Sequence, residues 1–284
     1  MDNKEKGILY LCGTPIGNLE DITLRALRVL GEVDYIAAED TRHTLKLLNH
    51  FEISKPLISY HEHNRREKGP EIIAMVEQGL KVALVSDAGM PGISDPGADL
   101  IILAQNAKIP YTIIPGPSAS ISALVLSGLP TERFVFEGFL SREKKERQQQ
   151  ISDLKQEERT IILYEAPHRI ITTLRDLQIG LGNRRLSIVR ELTKVYEEIL
   201  ATTMDEAVIY YEEKTPKGEF VLIIEGVQRT DKQNSFSDIS IEEHLREYLQ
   251  AGMDKKEAVK QVAKDRNIPK NEVYPFSIGL NEEK

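Results

Sequence analysis

Val82-Ala83-Leu84-Val85-Ser86-Asp87-Ala88-Gly89-Met90-Pro91-Gly92-Ile93-Ser94-Asp95-Pro96-Gly97 is the stretch from which this chain is best read. A strongly apolar strand, 82–86, runs into a loop holding three glycines, two prolines and two aspartates. The next helical pattern begins only after them. A long loop of special-backbone residues at a strand end is characteristically a ligand loop. Asp87 is positioned to accept from a ligand amine or hydroxyl, and so is Ser94, whereas Asp95 reads as a cap for the following helix.

Working outward from this loop, short β-prone runs at 8–12, 34–38, 57–59 and 111–114 alternate with helical patterns at 23–30, 41–49, 65–78, 98–106 and 118–127. Alternation at this spacing predicts an α/β sheet of mostly parallel strands. Asp40 and Asn64 are the expected N-caps of the second and third helices. From Thr131 the pattern restarts. Strands are expected at 134–136, 160–163, 186–189, 198–202 and 220–224, with helices at 144–155, 167–177 and 204–211. Pro167 suits a first helical position, and Gly180 or Gly182 an exit. Three of these strands follow one another without a long helix between them, which predicts a mixed sheet.

A polar stretch, 228–237, reads as a linker. Beyond it, helical periods at 241–249 and 254–264, and a third short helix after Pro269, predict a small helical module. Asp254 with Glu257 resembles a capping pair, and Ala258, Val259, Val262 and Ala263 make an apolar stripe. The expected organisation is therefore an α/β domain over 1–128, a second over 129–228, and the helical module over 235–284.

Bulk properties narrow the function. The chain has 284 residues, 40% hydrophobic and 29% charged, a balance ordinary for globular proteins. No apolar run approaches the roughly 20 residues that cross a bilayer, and the 7–11 stretch is too short for a signal peptide. The single cysteine, Cys12, leaves no internal disulfide, which fits a cytosolic location. A net charge of −8 argues against a broadly basic nucleic-acid binder, although a modifying enzyme needs only a local basic patch.

Two further turns resemble the long loop in placement. Gly13-Thr14-Pro15-Ile16-Gly17-Asn18 follows the first strand, and Pro115-Gly116-Pro117-Ser118-Ala119-Ser120 follows the fifth. Open α/β sheets bind ligands at such carboxyl ends, and small residues at a helix start let a flat group approach free N–H donors. Neither turn is the dinucleotide fingerprint, so a nicotinamide-dependent oxidoreductase is disfavoured. Three such turns in one domain together describe a pocket.

The 13–18, 86–97 and 116–119 segments resemble the cofactor motifs of the tetrapyrrole-methylase superfamily. The resemblance implies two α/β domains with S-adenosyl-L-methionine held in the cleft between them. Ala38-Glu39-Asp40-Thr41-Arg42, Ser59-Tyr60-His61-Glu62-His63-Asn64 and Tyr164-Glu165-Ala166-Pro167-His168-Arg169 resemble one branch, the 16S ribosomal RNA (cytidine-2′-O)-methyltransferases. The resemblance runs from about Gly7 to Gly226, and the helical tail is also similar to that branch's C-terminal module. It implies methylation of the ribose of a decoding-centre cytidine (1402 in ribosomal RNA numbering), a 30S subunit or assembly intermediate as partner, no membrane, and a homodimer. By resemblance, Pro15, Ile16, Asp87, Met90, Ser94, Ser118 and Ala119 line the cofactor pocket, and the positions near Tyr164, Leu192 and Gly218 close it.

For the acceptor side, a proton-accepting group is sought among Glu39, Asp40, His43, His61, Glu62 and His63, with Glu39 or His61 as the catalytic candidates. Histidine has its reference pKa near neutrality, about 6.5. Glu39 follows an apolar strand that raises a carboxyl's pKa. Arg42 is suited to hold a phosphate bidentately, and His63, Arg65, Arg66, His168 and Arg169 would extend that track. Arg142, Lys144, Lys145 and Arg147 read as a solvated helix face, and two histidines around Glu62 are weak grounds for a metal site. The lysines of the tail, 255, 256, 260, 264 and 270, suit either an RNA grip or simple solubility. The competing functions are a tetrapyrrole or other small-molecule methyltransferase of the same fold, and a non-catalytic ribosome-assembly factor that binds the cofactor. The polar loops at 60–64 and 164–169 disfavour an apolar macrocycle.

Overall fold

The computed structural model describes residues 7–227, 239–266, 268–278 and 280. The chain divides into two compact units, Met1–Gly226 and Val227–Lys284. The stretch 228–237, read above as a linker, lies outside the described residues.

In the first half of the larger unit, β1 (Leu9–Cys12), β2 (Tyr35–Ala38), β3 (Leu57–Ser59), β4 (Val82–Val85) and β5 (Tyr111–Ile114) form one sheet in the order β3-β2-β4-β1-β5. Every pairing is parallel. The crossovers carry α1 (Leu24–Glu32), α2 (Thr41–His50), α3 (Arg65–Glu77) and α4 (Ala98–Ala107), and α5 (Ala119–Leu126) leads from β5 to the second sheet. Strand alternation divides the sheet's side chains between two cores. Cys12, Ile36, Ala38 and Val85 pack with Val29, Leu30, Leu47 and Leu48 on one face. Leu9, Leu11, Ala37 and Leu84 pack with Tyr60, Ile72, Val76 and Leu100 on the other. Both faces are covered, which is the condition for an all-parallel sheet.

The second half holds β6 (Phe134–Phe139), β7 (Thr160–Glu165), β8 (Arg185–Arg190), β9 (Glu198–Thr203) and β10 (Phe220–Ile224), in the order β6-β7-β10-β8-β9. Only β6 and β7 pair in parallel; β10 runs antiparallel to both of its neighbours, and β9 to β8. This is the mixed sheet expected. Helices α6 (Lys144–Asp153), α7 (Ile170–Leu181) and α8 (Met204–Glu212) cover one of its faces through a core that includes Ile161, Leu163, Leu174, Leu177, Leu222 and Ile224. The other face, Ile162, Val189, Val221 and Ile223, packs on Ala123 and Leu124 of α5. Helix α5 thus belongs to the first sheet by connection and to the second by packing, and it holds the halves together.

Local capping departs from expectation at several points. Asp40 caps α2 by accepting from Arg42 N–H at 2.8 Å. Asn64 stands at the expected N-cap position of α3 but makes no side-chain capping bond there. Its own backbone is already helical, and its side chain instead accepts from His61 N–H at 2.9 Å and donates to Ser59 O at 3.0 Å. Helix α7 starts three residues after Pro167, because the preceding turn is fixed by Glu165, which accepts from Ala166 N–H at 2.8 Å. Gly182, at φ +80°, ends it. Arg147 is not on a solvated face. It is buried, and its Nε lies 2.7 Å from Asp176 Oδ2, so that α6 is clamped to α7 by a desolvated ion pair.

The smaller unit consists of α9 (Ile241–Gln250), α10 (Lys255–Asp265) and α11 (Lys270–Ser277). Ser240 and Glu243 form a reciprocal capping box before α9. Asp254 accepts from Glu257 N–H at 2.9 Å before α10. Leu245, Ala258, Val259, Val262, Ala263 and Val273 make its core. No helix among the described residues is long and apolar enough to cross a membrane.

Candidate active site

Five parallel strands end on the same rim, so the five turns that follow them converge without further device. The β1 and β4 turns are laced directly. Thr14 N–H donates to Gly89 O at 2.9 Å, Gly89 N–H returns to Thr14 O at 3.1 Å, and the Thr14 hydroxyl donates to Ser86 O at 3.1 Å. The β1 and β5 turns meet at a pair of glycines. A Cβ on Gly13 would lie 2.8 Å from Gly116 Cα, and one on Gly116 would lie 2.9 Å from Gly13 Cα. Neither position has room for a side chain. Gly116 N–H then donates to the Met90 sulfur at 3.2 Å, which brings the long loop over both.

Between this rim and the second sheet lies a cavity of about 430 Å³, within the size range of small-molecule sites, roughly 300 Å³ upward. Ile16, Asp87, Met90, Ser94, Ser118 and Ala119 line it from the first half. Tyr164 and Leu192 line it from the second. Two residues of the expected set sit elsewhere. Pro15 faces an adjoining cavity, and Gly218 lies outside the lining, at φ +81° with a Cβ there only 2.4 Å from the Glu191 side chain. Sequence reasoning missed Phe139, Val189, Phe220, Val221, Lys194 and Glu219. Lys194 bridges Glu191 at 2.9 Å and Glu219 at 3.0 Å, closing one end of the cavity. Asp95 also lines the cavity and makes no cap; Gly97 and Asp99 serve the start of α4 instead.

The walls are mostly apolar, but carboxylates gather at one end. Burial, then the charges of Glu39 and Asp87, push the Asp95 carboxyl up to about 6. Burial raises Glu39 as well, with Asp87, Glu62 and Asp40 adding to the effect and His61 opposing it. Glu39 and His61 therefore lie within electrostatic reach of one another, although neither lines the main cavity. The His61 Nδ1 is buried and has no hydrogen-bond partner among the described residues. Asp87 Oδ1 accepts Asp40 N–H at 3.1 Å. Such an enclosure suits a ligand with a flat apolar part and a positive charge.

A second cavity of about 500 Å³ shares Ile16, Asp87, Ala88, Lys194 and Glu219 with the first. Its remaining walls include Thr14, Pro15, Gly17, His43 and Lys46. It adds a basic side to an otherwise acidic neighbourhood.

The residues expected to hold phosphates are distributed differently. Arg42 is exposed, but Asp40 holds its guanidinium at both ends, Nε to Oδ1 at 3.0 Å and Nη2 to Oδ2 at 2.7 Å. That contact keeps the Asp40 carboxyl well below the usual carboxylate range. Arg65 is half-buried and reaches Asp99 at 3.9 Å. His63 is exposed, its ring edge-on to that of His61 at 5.9 Å. His168 is exposed on the β7 turn. Arg169 beside it is turned inward, donating to Leu140 O at 2.8 Å and Ser141 O at 3.3 Å beside Glu165. Its guanidinium is used within the fold and leaves no open fork for a phosphate.

The doubly walled cleft and its strand-end loops define a methylase of the tetrapyrrole type. The family model Tetrapyrrole (Corrin/Porphyrin) Methylases matches residues 8–208. The structure of uroporphyrin-III-C-methyltransferase from Thermus thermophilus superposes with a TM-score of 0.56 at 20% identity, covering 77% of this chain and 94% of that one. The methyltransferase CobJ superposes with a TM-score of 0.61 at 16% identity, covering 78% and 95%. Closer in sequence are proteins named ribosomal RNA small subunit methyltransferase I. That of Synechocystis sp. is 51% identical over 96% of this chain and 98% of its own. That of Halalkalibacterium halodurans is 52% identical over 95% and 94%, and that of Bacillus subtilis 45% identical over 95% and 94%. The chain belongs to this methyltransferase family within the tetrapyrrole methylases.

Proposed function

We propose that the protein transfers the methyl group of S-adenosyl-L-methionine to the ribose 2′-hydroxyl of a cytidine in 16S ribosomal RNA, at position 1402 of the RNA. The observation that carries this reading is the main cavity: apolar walls of Ile16, Met90, Leu192 and Val221, with the Asp87 carboxylate at one end. The flat adenosine fits the apolar walls. The positive charge of the sulfonium and amino groups fits the carboxylate end. Ser118 and Ala119, at the uncapped start of α5, offer backbone N–H donors to the ligand's polar atoms.

When bound, this cofactor supplies an electrophilic methyl group. The chain's own part is to position the acceptor and take its proton. The second cavity, continuous in its walls with the first, is where the nucleotide would enter, with Lys46 and His43 on its basic side. Glu39, whose proton affinity is raised, and His61, whose Nδ1 has no partner among the described residues, are the groups we assign to accept the hydroxyl proton. On this reading Arg42, His63, Arg65 and His168 would serve the approaching RNA, and Arg42 must exchange Asp40 for a phosphate to contribute. Pro15 and Gly218 would shape the cleft without facing its cavity.

On this reading the two α/β halves, 1–128 and 129–228, supply the two walls of the cleft, and 235–284 is a separate helical module. A 30S subunit or assembly intermediate is the partner on this reading, which would place the protein in the cytoplasm. A homodimer is favoured by the exposed apolar side chains of Tyr111 and Ile113 on edge strand β5 and of Ile121 and Val125 on α5.

The test is methyl transfer from labelled S-adenosyl-L-methionine to purified 30S subunits lacking the modification, followed by nuclease mapping. Label in the ribose at that cytidine is the expected result. No label from a preparation that binds the cofactor would overturn the assignment of the acceptor.

A further inference from the structure

The smaller unit carries a feature that the methyl-transfer site does not use. Helices α10 and α11 flank a groove of about 790 Å³ lined by Lys255, Lys256, Lys260, Lys270, Asn271 and Tyr274, with Val259 in its floor. We propose that this groove binds single-stranded RNA, its lysines neutralising backbone phosphates and the Tyr274 ring stacking on a base. The proposal rests on the reading of RNA as acceptor and adds a second contact to it.

The residues that line the groove include four lysines and no carboxylate; Glu257 and Asp265 of α10 and Glu272 of α11 are not among them. The acidic side chains of α9, Glu242, Glu243 and Glu247, stand on the element that does not line the groove. Lys255 is spent on Leu280 O at 3.2 Å. Among the described residues no carboxylate pairs with Lys256, Lys260 or Lys270, and all three are exposed. Lys256 and Lys260 are one helical turn apart, about 6 Å along the axis, and so point from one face. In a chain whose net charge is −8, these three lysines share one concavity with no carboxylate in its lining.

The aromatic component excludes a purely electrostatic reading. Tyr274 is 61% exposed at the groove, one turn from Lys270, and the neighbouring Phe276 is 46% exposed. A ring left in water beside three unpaired ammonium groups is the combination that single-strand binders use. Charge follows the backbone, and the ring stacks on whichever base is presented. An acidic peptide would meet the lysines but leave the ring idle.

The test uses the full-length protein and a fluorescein-labelled oligouridylate, a probe with no cytidine to methylate. Binding is followed by anisotropy over a salt series. Replacing Lys256, Lys260 and Lys270 together by Ala should lower affinity at least tenfold and reduce the slope of log K against log salt by about two, at roughly 0.7 per phosphate on a single strand. Tyr274→Ala should weaken binding about tenfold with the slope unchanged. Cofactor affinity by calorimetry should be the same in all variants, showing that the larger unit is intact. Unchanged oligonucleotide affinity and slope in the triple variant would overturn the proposal. So would polyglutamate competing as well as oligouridylate, which would point to a protein partner, or duplex RNA competing as well as single strands. Loss of oligouridylate binding in the variants supports the groove whether or not 30S subunits are methylated, so the two readings fail separately.

Discussion

Asp87 accepts the backbone N–H of Asp40 at 3.1 Å, and that one bond pins the β2 turn to the long β4 loop. The same carboxylate stands in the wall of both cavities. Asp87 therefore has two duties, a fixed hydrogen bond and a negative charge facing the ligand, and two substitutions both remove the charge. Asp87→Asn keeps an acceptor for Asp40 and removes the charge. Asp87→Ala removes both. A charge-assisted bond is worth about 1.5–3 kcal/mol, so calorimetry should show S-adenosyl-L-methionine affinity falling roughly tenfold to a hundredfold in both variants. Unchanged affinity in Asp87→Ala would take the residue out of the ligand site.

Asp95 makes stability depend on pH in an unusual sense. Its carboxyl is pushed up to about 6 in the folded protein, from 3.8, chiefly by burial and then by Glu39 and Asp87. The folded state thus holds the proton more tightly than the unfolded chain does. Its contribution favours folding at low pH, declines as pH rises from about 4, and is lost above about 6. Asp95→Asn removes the charge that must be kept desolvated. The variant should melt higher than the wild type at pH 8, by about 2 °C or more, and show no gain at pH 4. A uniform shift at both pH values would show that the carboxylate is not the cause.

The first wall of the site could be read directly from the chain because each of its parts is local. A strand followed by Gly13–Gly17-type or Pro115-Gly116 turns fixes where a ligand can sit, since parallel strands all end on one side. The opposite wall could not. Val189 and Val221 face the cleft because β10 is inserted between β7 and β8, and that pairing register appears nowhere in the local pattern. The same limit explains the charged residues. Arg169 and Arg147 look like any surface cations in sequence, but each is met by a carboxylate, Glu165 or Asp176, positioned by the fold. Asp95, two residues before the N-cap of α4, reads as helix punctuation in sequence; its raised proton affinity depends on burial in the folded loop and on the charge of Glu39, which arrives from the β2 turn.

Arg147 gives the sharpest test of that distinction. Its side chain is 10% exposed and that of Asp176 18%, so truncating either leaves a nearly buried, unpaired charge. Removing one partner of such a pair costs about 3–5 kcal/mol. Arg147→Ala should therefore lower the melting temperature by about 10 °C, whereas Lys144→Ala and Lys145→Ala, on the same helix, should leave it within a degree or so. Equal, small effects at all three positions would return Arg147 to the solvated face.

The Tyr164 hydroxyl accepts from Ser120 N–H at 3.1 Å, joining β7 of the second sheet to the first turn of α5. Its ring meets Phe136 and Phe139 at centroid distances of 5.0 and 5.6 Å, so the phenyl group stays fixed when the hydroxyl is removed. Tyr164→Phe accordingly deletes one bond and leaves Ser120 N–H, in a buried residue, without a partner. The cost is about 1–3 kcal/mol, or a fall of about 2–10 °C in melting temperature. Because Ser118 and Ala119 immediately precede Ser120 and line the cavity, cofactor affinity should fall with it. Ser120→Ala is the control, since it keeps the N–H and removes only the side-chain contact with Ser118 at 3.1 Å. If Tyr164→Phe and Ser120→Ala behave alike, the bond between the sheets does not set the geometry of the cleft. A loss confined to Tyr164→Phe means that α5 carries the second sheet's position directly into the ligand site.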